Sequence, residues 1–244
     1  RCSALFARGA WRPTAARGPA PRRAPPAGWQ RYRLQLWESP AGQLRYELAG
    51  LRLRLCHGDL LQHLAAADAV VNSANRGLDG PARPEHWMFS GHAGTSVEEA
   101  LHRAAGPELL DACRQLPREG GKGPRCPVGG ARVTTGTPSL LPHGHVVHAV
   151  APGWHALETS GPLLRATWRA TLAAAGELGV RVLVAPALGC GTNRAPLEEA
   201  AACCLEALRD WEGGLAGHLE LRLVLHSLEA WTAFTDAAYD LLPR

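Results

Sequence analysis

The sequence predicts a layered α/β domain built on a largely parallel sheet. Three observations lead there. Short apolar or alternating runs recur with helix-like segments between them, the pattern of strands joined by helical crossovers. Several runs, such as Ala69-Val70-Val71 and Val180 to Val184, are nearly continuous in apolar residues, which suits strands covered on both faces. Three of the runs empty into loops of Gly, Asn, Ser and Thr, at the strand ends where open α/β sheets place their crevices.

The elements follow in order. Residues 1–30 read as a targeting segment or basic linker, and residues 31–244 as the domain. Apolar and polar residues alternate from Arg31 to Trp37 and again from Gln43 to Leu48 around Ser39-Pro40-Ala41-Gly42, a hairpin signal that adds antiparallel strands at one side. Leu51, Leu53 and Leu55 alternate with Arg52 and Arg54 in a further strand that ends at His57-Gly58-Asp59. Leu60 to Ala67 reads as a short helix into the Val70-Val71 strand. Residues 76–94 have no period and read as a functional loop or as disorder; Trp87, Met88 and Phe89, standing together, argue that part of the stretch packs. Ser96 with Glu99 forms a capping box for a helix from Val97 to Ala105, and Gly106-Pro107 leads into a second helix to Leu116. A Gly/Pro/basic loop precedes a strand at Ala131 to Thr135, and Val146 to Val150 is another. A helix from Leu163 to Leu178 leads to the strand Val180 to Val184. Pro196 then opens a helix to Trp211, with Glu198 and Glu199 in its first turn, where carboxylates suit the helix dipole. A strand at Leu219 to Leu225 and a helix at Leu228 to Leu242 complete the chain.

Composition narrows the function classes. The chain has 244 residues, of which 46% are hydrophobic and 20% charged, an ordinary globular mix. No apolar run approaches the roughly 18 residues of a membrane span. Residues 1–37 hold eight arginines and no Asp or Glu, which reads as a transit segment for a mitochondrion or another organelle; a basic tail or a nucleic-acid arm are the plainer readings. Lys122 is the single lysine. The seven cysteines are odd in number and lack framework spacing, so reduced thiols are expected. Cys126 with His143, His145 and His148 is the one grouping with metal-ligand chemistry, and without a C-x-x-C motif no metal or cofactor is expected.

The chemistry concentrates in the loops. In Asp68 to Asn75, read DAVVNSAN, Asn72 and Asn75 stand where an amide can donate to and accept from a polar ligand, or can simply close the strand in an Asx turn. Gly189-Cys190-Gly191-Thr192-Asn193 precedes a helix, and bare amides there favour an anion. Neither stretch has the P-loop or Rossmann pattern. Cys190 in such a loop is a candidate thiolate nucleophile or small loop filler.

Taken in order, GDLLQHLAAADAVVNSAN, VEEALHRAAGPELLDACRQL, CPVGGARVTTG, HVVHAVAPGW and ELGVRVLVAPALGCGTNRAPLEEAA resemble the macrodomain family of ADP-ribose-binding modules, over about residues 51–244. The resemblance implies a three-layer α/β/α sandwich over a mixed, mostly parallel sheet. It implies that Asp59, beside Leu60, accepts from the adenine amine and that Asn72 and Asn75 lie in the family's V-N-x-A-N, with Asn75 beside the distal ribose. It further implies that Gly94 and Ser96 belong to the first phosphate loop, and Gly189, Cys190, Gly191, Thr192 and Asn193 to the second. The motif order is similar to the hydrolytic MacroD type, with three departures. Glu98 stands where that type has its catalytic Asp, behind an insertion; Thr192 and Asn193 replace an aromatic; and Ala151 replaces a Gly before Pro152.

The expectation is a protein that binds ADP-ribose and hydrolyses an ADP-ribosyl bond on a protein or an acyl group, with Asn75 and Glu98 as the catalytic residues. The alternatives are a non-catalytic reader of ADP-ribose or ADP-ribosylated proteins and a domain retained in an organellar assembly, with residues 76–94 as a protein-contact surface. No membrane partner is expected, and nucleic acid is the weaker reading of the basic start. A reporter fused behind residues 1–40, with an initiating methionine added, should leave the cytosol; cytosolic retention would remove the targeting reading.

Overall fold

A computed structural model describes residues 43–48, 50–81, 96–135, 139–141, 144–211, 213 and 217–241. The Arg-rich start, the 31–37 limb of the predicted hairpin, the Trp87–Phe89 cluster and Gly94 lie outside the described residues.

Seven strands form one sheet: β1 (Gln43–Leu48), β2 (Leu51–His57), β3 (Ala69–Ser73), β4 (Ala131–Thr135), β5 (His145–Ala149), β6 (Val182–Pro186) and β7 (Leu219–Leu225), in the order β1-β2-β7-β6-β3-β5-β4. The strands from β2 through β5 in that order are mutually parallel, and an antiparallel strand closes each side: β1 on β2 and β4 on β5. The antiparallel strand on the second side was not legible in the sequence. It follows from the link 136–144, which is shorter than the dozen or so residues a parallel crossover needs. On the first side, Gln43–Leu48 pairs across Gly50, a turn glycine with φ 75°.

Helices cover both faces. α3 (Leu157–Glu177), α4 (Leu197–Arg209) and α5 (Leu228–Leu241) bury Trp168, Leu172, Cys204, Leu205 and Phe234 against Tyr46, Leu53, Val71, Val147 and Leu183. α1 (Val97–Ala105), α2 (Pro107–Gln115) and a 3-10 turn (Leu60–His63) bury Leu60, Leu101, Leu109 and Cys113 on Val70, Val146, Val184 and Val224. Alternate residues of one strand feed opposite cores, as the pleat requires. The result is a three-layer α/β/α sandwich over a mixed, mostly parallel sheet.

Two elements differ from expectation in extent. Leu60–His63 is a single 3-10 turn because Ala66 adopts a left-handed conformation (φ 57°) and the Arg222 guanidinium takes the carbonyls of His63 and Ala65. α3 begins at Leu157, ahead of the expected start at Leu163, and carries Pro162 inside it. Ser160 fixes that entry: its hydroxyl donates to the Gly153 carbonyl at 3.2 Å and accepts from the His155 amide at 3.0 Å. Anchoring outweighs the one helical bond that Pro162 cannot make.

The middle of the sheet is aligned by Asp68. Its carboxylate accepts from the amides of Arg181 and Val182, both at 2.9 Å, while its own amide donates to the Val182 carbonyl and its carbonyl accepts from His145. This also explains why β6 starts at Val182 and not at Val180. Replacing Asp68 by Ala should lower unfolding stability by about 2 kcal/mol in urea titrations. Asp68→Asn, which keeps one acceptor, should lose less; equal losses would show that the carboxylate is not the clamp.

Candidate functional site

Because the central strands run the same way, the segments after β2, β3, β5, β6 and β7 emerge at one edge of the sheet. β3 lies between β5 and β6, so the loops that follow these three strands are neighbours. This is the crevice position of open α/β sheets.

Asn75 and Glu98, far apart in sequence, meet there. Asn75 leaves β3 in an Asx turn, its Oδ1 accepting from the Gly77 amide at 3.0 Å and the Asp79 amide at 3.5 Å. Its Nδ2 donates to the Gly80 carbonyl at 2.7 Å and to Glu98 Oε1 at 3.0 Å, and its backbone amide reaches the same Oε1 at 3.4 Å. Glu98 lies in the first turn of α1, behind the Ser96 cap, whose hydroxyl accepts from the Glu99 amide at 3.2 Å. Burial pushes the Glu98 carboxyl up; the two bonds from Asn75 oppose this and the nearby Asp79 charge reinforces it. Glu98 Oε2 accepts no bond among the described residues. The pair is therefore a half-buried carboxylate held by one oxygen, the other left over.

The loop after β6 is folded on itself. The Ala195 amide donates to the Gly189 carbonyl at 2.9 Å and the Arg194 amide to that of Gly191 at 3.0 Å. Gly189 sits at φ 85°, where a side chain would press on Leu164 at 3.3 Å, so this position needs glycine. The amides of Gly191, Thr192 and Asn193 have no backbone partner among the described residues. Asn193 ties this loop to the one after β5: its Nδ2 donates to the Ala151 carbonyl at 3.1 Å and its own carbonyl accepts from Trp154 at 2.8 Å. Three successive amides without a backbone partner among the described residues, in front of α4, are donors available to an anion. The Cys190 thiol, half-buried in this loop, is pushed up to about 12 by burial, so it is not the activated thiolate that a helix N-terminus might have produced.

One sequence candidate, Asn72, is placed differently from expectation, and Asp59 also serves as a cap. Asn72 lies inside β3 with its side chain fully buried, not open at the strand end. Its Nδ2 donates to His148 Nδ1 at 3.2 Å, and its Oδ1 is buried without a partner. Asp59 caps the 3-10 turn, accepting from the Leu61 amide at 2.8 Å while its carboxylate stays exposed; Leu60 is buried beneath it. The nearby His57 ring stands edge-on to Trp231, with centroids 6.2 Å apart.

Two groups had no signal in the sequence. Arg125, from the Gly/Pro/basic loop, is 8% exposed and donates to the Gly77 carbonyl at 2.7 Å and to Asp79 at 2.6 Å. His148 is fully buried under the β3 end, its Nε2 2.9 Å from the Thr134 hydroxyl and 3.5 Å from the Cys113 thiol. With Asn72 donating to Nδ1, the ring proton belongs on Nε2. Among the described residues the grouping with metal-ligand chemistry does not come together: Cys126 bonds the Pro127 carbonyl and His148 sits with Cys113, while His143 is outside the described residues.

The sequence model of the family described as Macro domain matches residues 71–204. A Macro domain-containing protein of Streptomyces coelicolor is 35% identical over 182 residues, covering 75% of this chain and 95% of that protein. One of Xanthomonas campestris is 32% identical over 189 residues, covering 77% and 95%. Among solved structures, an Oceanobacillus iheyensis macrodomain with ADPR superimposes with a TM-score of 0.67 at 24% identity, covering 81% of this chain and 97% of that one. A Trypanosoma brucei macrodomain in complex with ADP-ribose gives 0.59 at 24% identity, covering 76% and 68%. At that identity the structural likeness bears on the fold.

Burial drops the His148 imidazolium to about 3, so the folded protein holds this ring neutral while the unfolded chain protonates it near the ordinary histidine value of about 6.5. Its contribution is complete above about pH 6.5 and is lost as the pH falls towards 3. Unfolding stability should therefore drop by up to about 1.4 kcal/mol per pH unit between pH 6 and 4 more in the native sequence than in His148→Gln. Parallel slopes in urea titrations would refute a neutral buried ring.

Proposed function

The chain belongs to the Macro domain family, and from that premise we propose that it binds ADP-ribose at the common strand edge and hydrolyses an ADP-ribosyl bond there. The observation that carries the proposal is the meeting of Asn75 and Glu98 beside the loop of unpaired amides at residues 191–193. That loop receives the diphosphate: its N–H groups supply the donors an anion needs, without a lysine. The exposed Asp59 carboxylate receives the adenine amine at the far end of the cleft. The distal ribose then comes to the Asn75–Glu98 end.

In the reaction, Glu98 in its ionised form takes a proton from a water molecule through the oxygen that Asn75 does not hold. The water oxygen bonds to the anomeric carbon of the distal ribose. The bond from that carbon to the acyl oxygen of the modified side chain breaks, and the carboxylate leaves with the electron pair. Asn75 holds the carboxylate in place, and the diphosphate bound at 191–193 fixes the ribose against the water. Glutamate does the work of the shorter aspartate of the hydrolytic type because α1 presents it from its first turn.

One observation favours a non-catalytic reader. Both Nδ2 protons of Asn75 are used within the protein, on Gly80 and Glu98, so Asn75 offers no donor to a ribose hydroxyl. Binding without turnover is what that arrangement supports if water does not reach Glu98.

Calorimetric titration with ADP-ribose should show one-site binding, weakened at least tenfold in Gly191→Val without loss of thermal stability, because an added Cβ there meets no protein atom within 4 Å. Absence of binding would sink the whole reading. Release of ADP-ribose from a glutamate-modified protein should fall on the order of a hundredfold in Glu98→Gln with affinity retained. Its acid limb should lie above the ordinary carboxylate range. Equal release by Glu98→Gln would remove Glu98 from the mechanism, and binding with no release by the native protein would leave the reader.

A further inference from the structure

The loop that holds Asn75 is itself held from outside, by a residue of no assigned role. Arg125 is buried and its Nη1 bridges two points of the Asx turn: the Gly77 carbonyl at 2.7 Å and Asp79 Oδ1 at 2.6 Å. Its Nη2 approaches the Arg114 carbonyl, at the end of α2, at 3.5 Å. The amides of Arg125 and Cys126 both donate to the Arg76 carbonyl, at 3.0 and 3.1 Å, so main chain and side chain grip the same loop. Arg118 adds a second cation to the same Asp79 oxygen at 3.2 Å, from a more exposed position.

The turn thus contains a carboxylate, Asp79, close enough to bear electrostatically on the Glu98 carboxyl. Two like charges in a half-buried cluster disfavour each other unless a cation stands between them or beside one. The ionisable groups around Glu98 are Asp79 in this loop, His102 one turn along α1, Cys113 on α2 and the two arginines that reach Asp79 from the segment after α2. Burial pulls the His102 ring down and pushes the Cys113 thiol up to about 12, in each case favouring the neutral form. That leaves the Asp79 charge and its arginines to set the local field.

We propose that Arg125 is a positioning residue for the Asn75–Glu98 pair, fixing the Asx turn that presents Asn75 and cancelling the Asp79 charge beside the Glu98 carboxyl. The kinetic meaning of this rests on the hydrolytic reading above; the electrostatic part does not. A surface arginine that merely stabilises the loop would move thermal stability and leave the Glu98 titration where it was. Arg125 moves both.

The test is an NMR titration of the Glu98 carboxyl carbon in the free, full-length protein, with the resonance assigned by its loss in Glu98→Gln. Arg125→Met should raise the Glu98 midpoint by about half a pH unit, and Asp79→Asn should lower it by a similar amount. The double variant should titrate with Asp79→Asn, because the charge that Arg125 offsets is gone. Arg125→Lys should leave the midpoint near its native value while losing the two-point bridge, so that ADP-ribosyl release falls about tenfold with its acid limb unmoved. An unchanged midpoint in Asp79→Asn, or in a folded Arg125→Met, overturns the proposal. If release is absent in every protein but the midpoints move as stated, the hydrolytic reading fails and the electrostatic role of Arg125 stands.

Discussion

Asp68 sets the alignment on which the rest depends. A single residue at the foot of β3 caps two amides of β6 with its carboxylate and takes part in the backbone pairing to both β6 and β5. The pleat gives strands a period of two, so a slip of one residue here would send Val71 into the wrong core and turn Asn72 out. Gly144 is part of the same joint: a side chain there would stand 2.8 Å from the Asp68 carbonyl, so the residue just ahead of β5 must be glycine. Fixing the N-terminal edge of three adjacent strands fixes where their other ends arrive. The crevice is thus a consequence of alignment made at the opposite side of the sheet.

At that far edge the structure spends polar groups inward before it offers any outward. Asn75 satisfies its own turn and one oxygen of Glu98, and Asn72 is spent on His148 beneath. What faces outward is mostly main chain, the amides of residues 191–193, together with the Asp59 carboxylate. Rigid side chains behind and bare peptide groups in front place donors accurately without long, mobile cations. This matches a chain in which 25 of 26 basic residues are arginine and the lone lysine, Lys122, lies in the exposed loop before Arg125.

Much of this was legible in the sequence, and the remainder has definite causes. The fold class followed from apolar runs alternating with helical ones, and β7 and α1 from their own alternation and capping box. The nearness of Asn75 and Glu98 followed from the family's motif order despite the insertion between them. Interactions between residues distant in sequence were hidden. No periodicity marks Arg125 as a clamp on a loop 46 to 48 residues earlier, and His148 reads as one more position in a strand. Asn72 and Asn75 look alike in a string of letters; the pleat alone decides that the first turns into the core. The early start of α3 was hidden because it rests on the Ser160 anchor to the Gly153 carbonyl.

The two bonds from Asn193 to the segment after β5 join what would otherwise be independent loops into one body. On the proposed reading, a diphosphate at residues 191–193 would meet a loop already tied to its neighbour, so less configurational freedom would be surrendered on association. Discrimination among nucleotides would then fall on steric fit more than on closure around the guest.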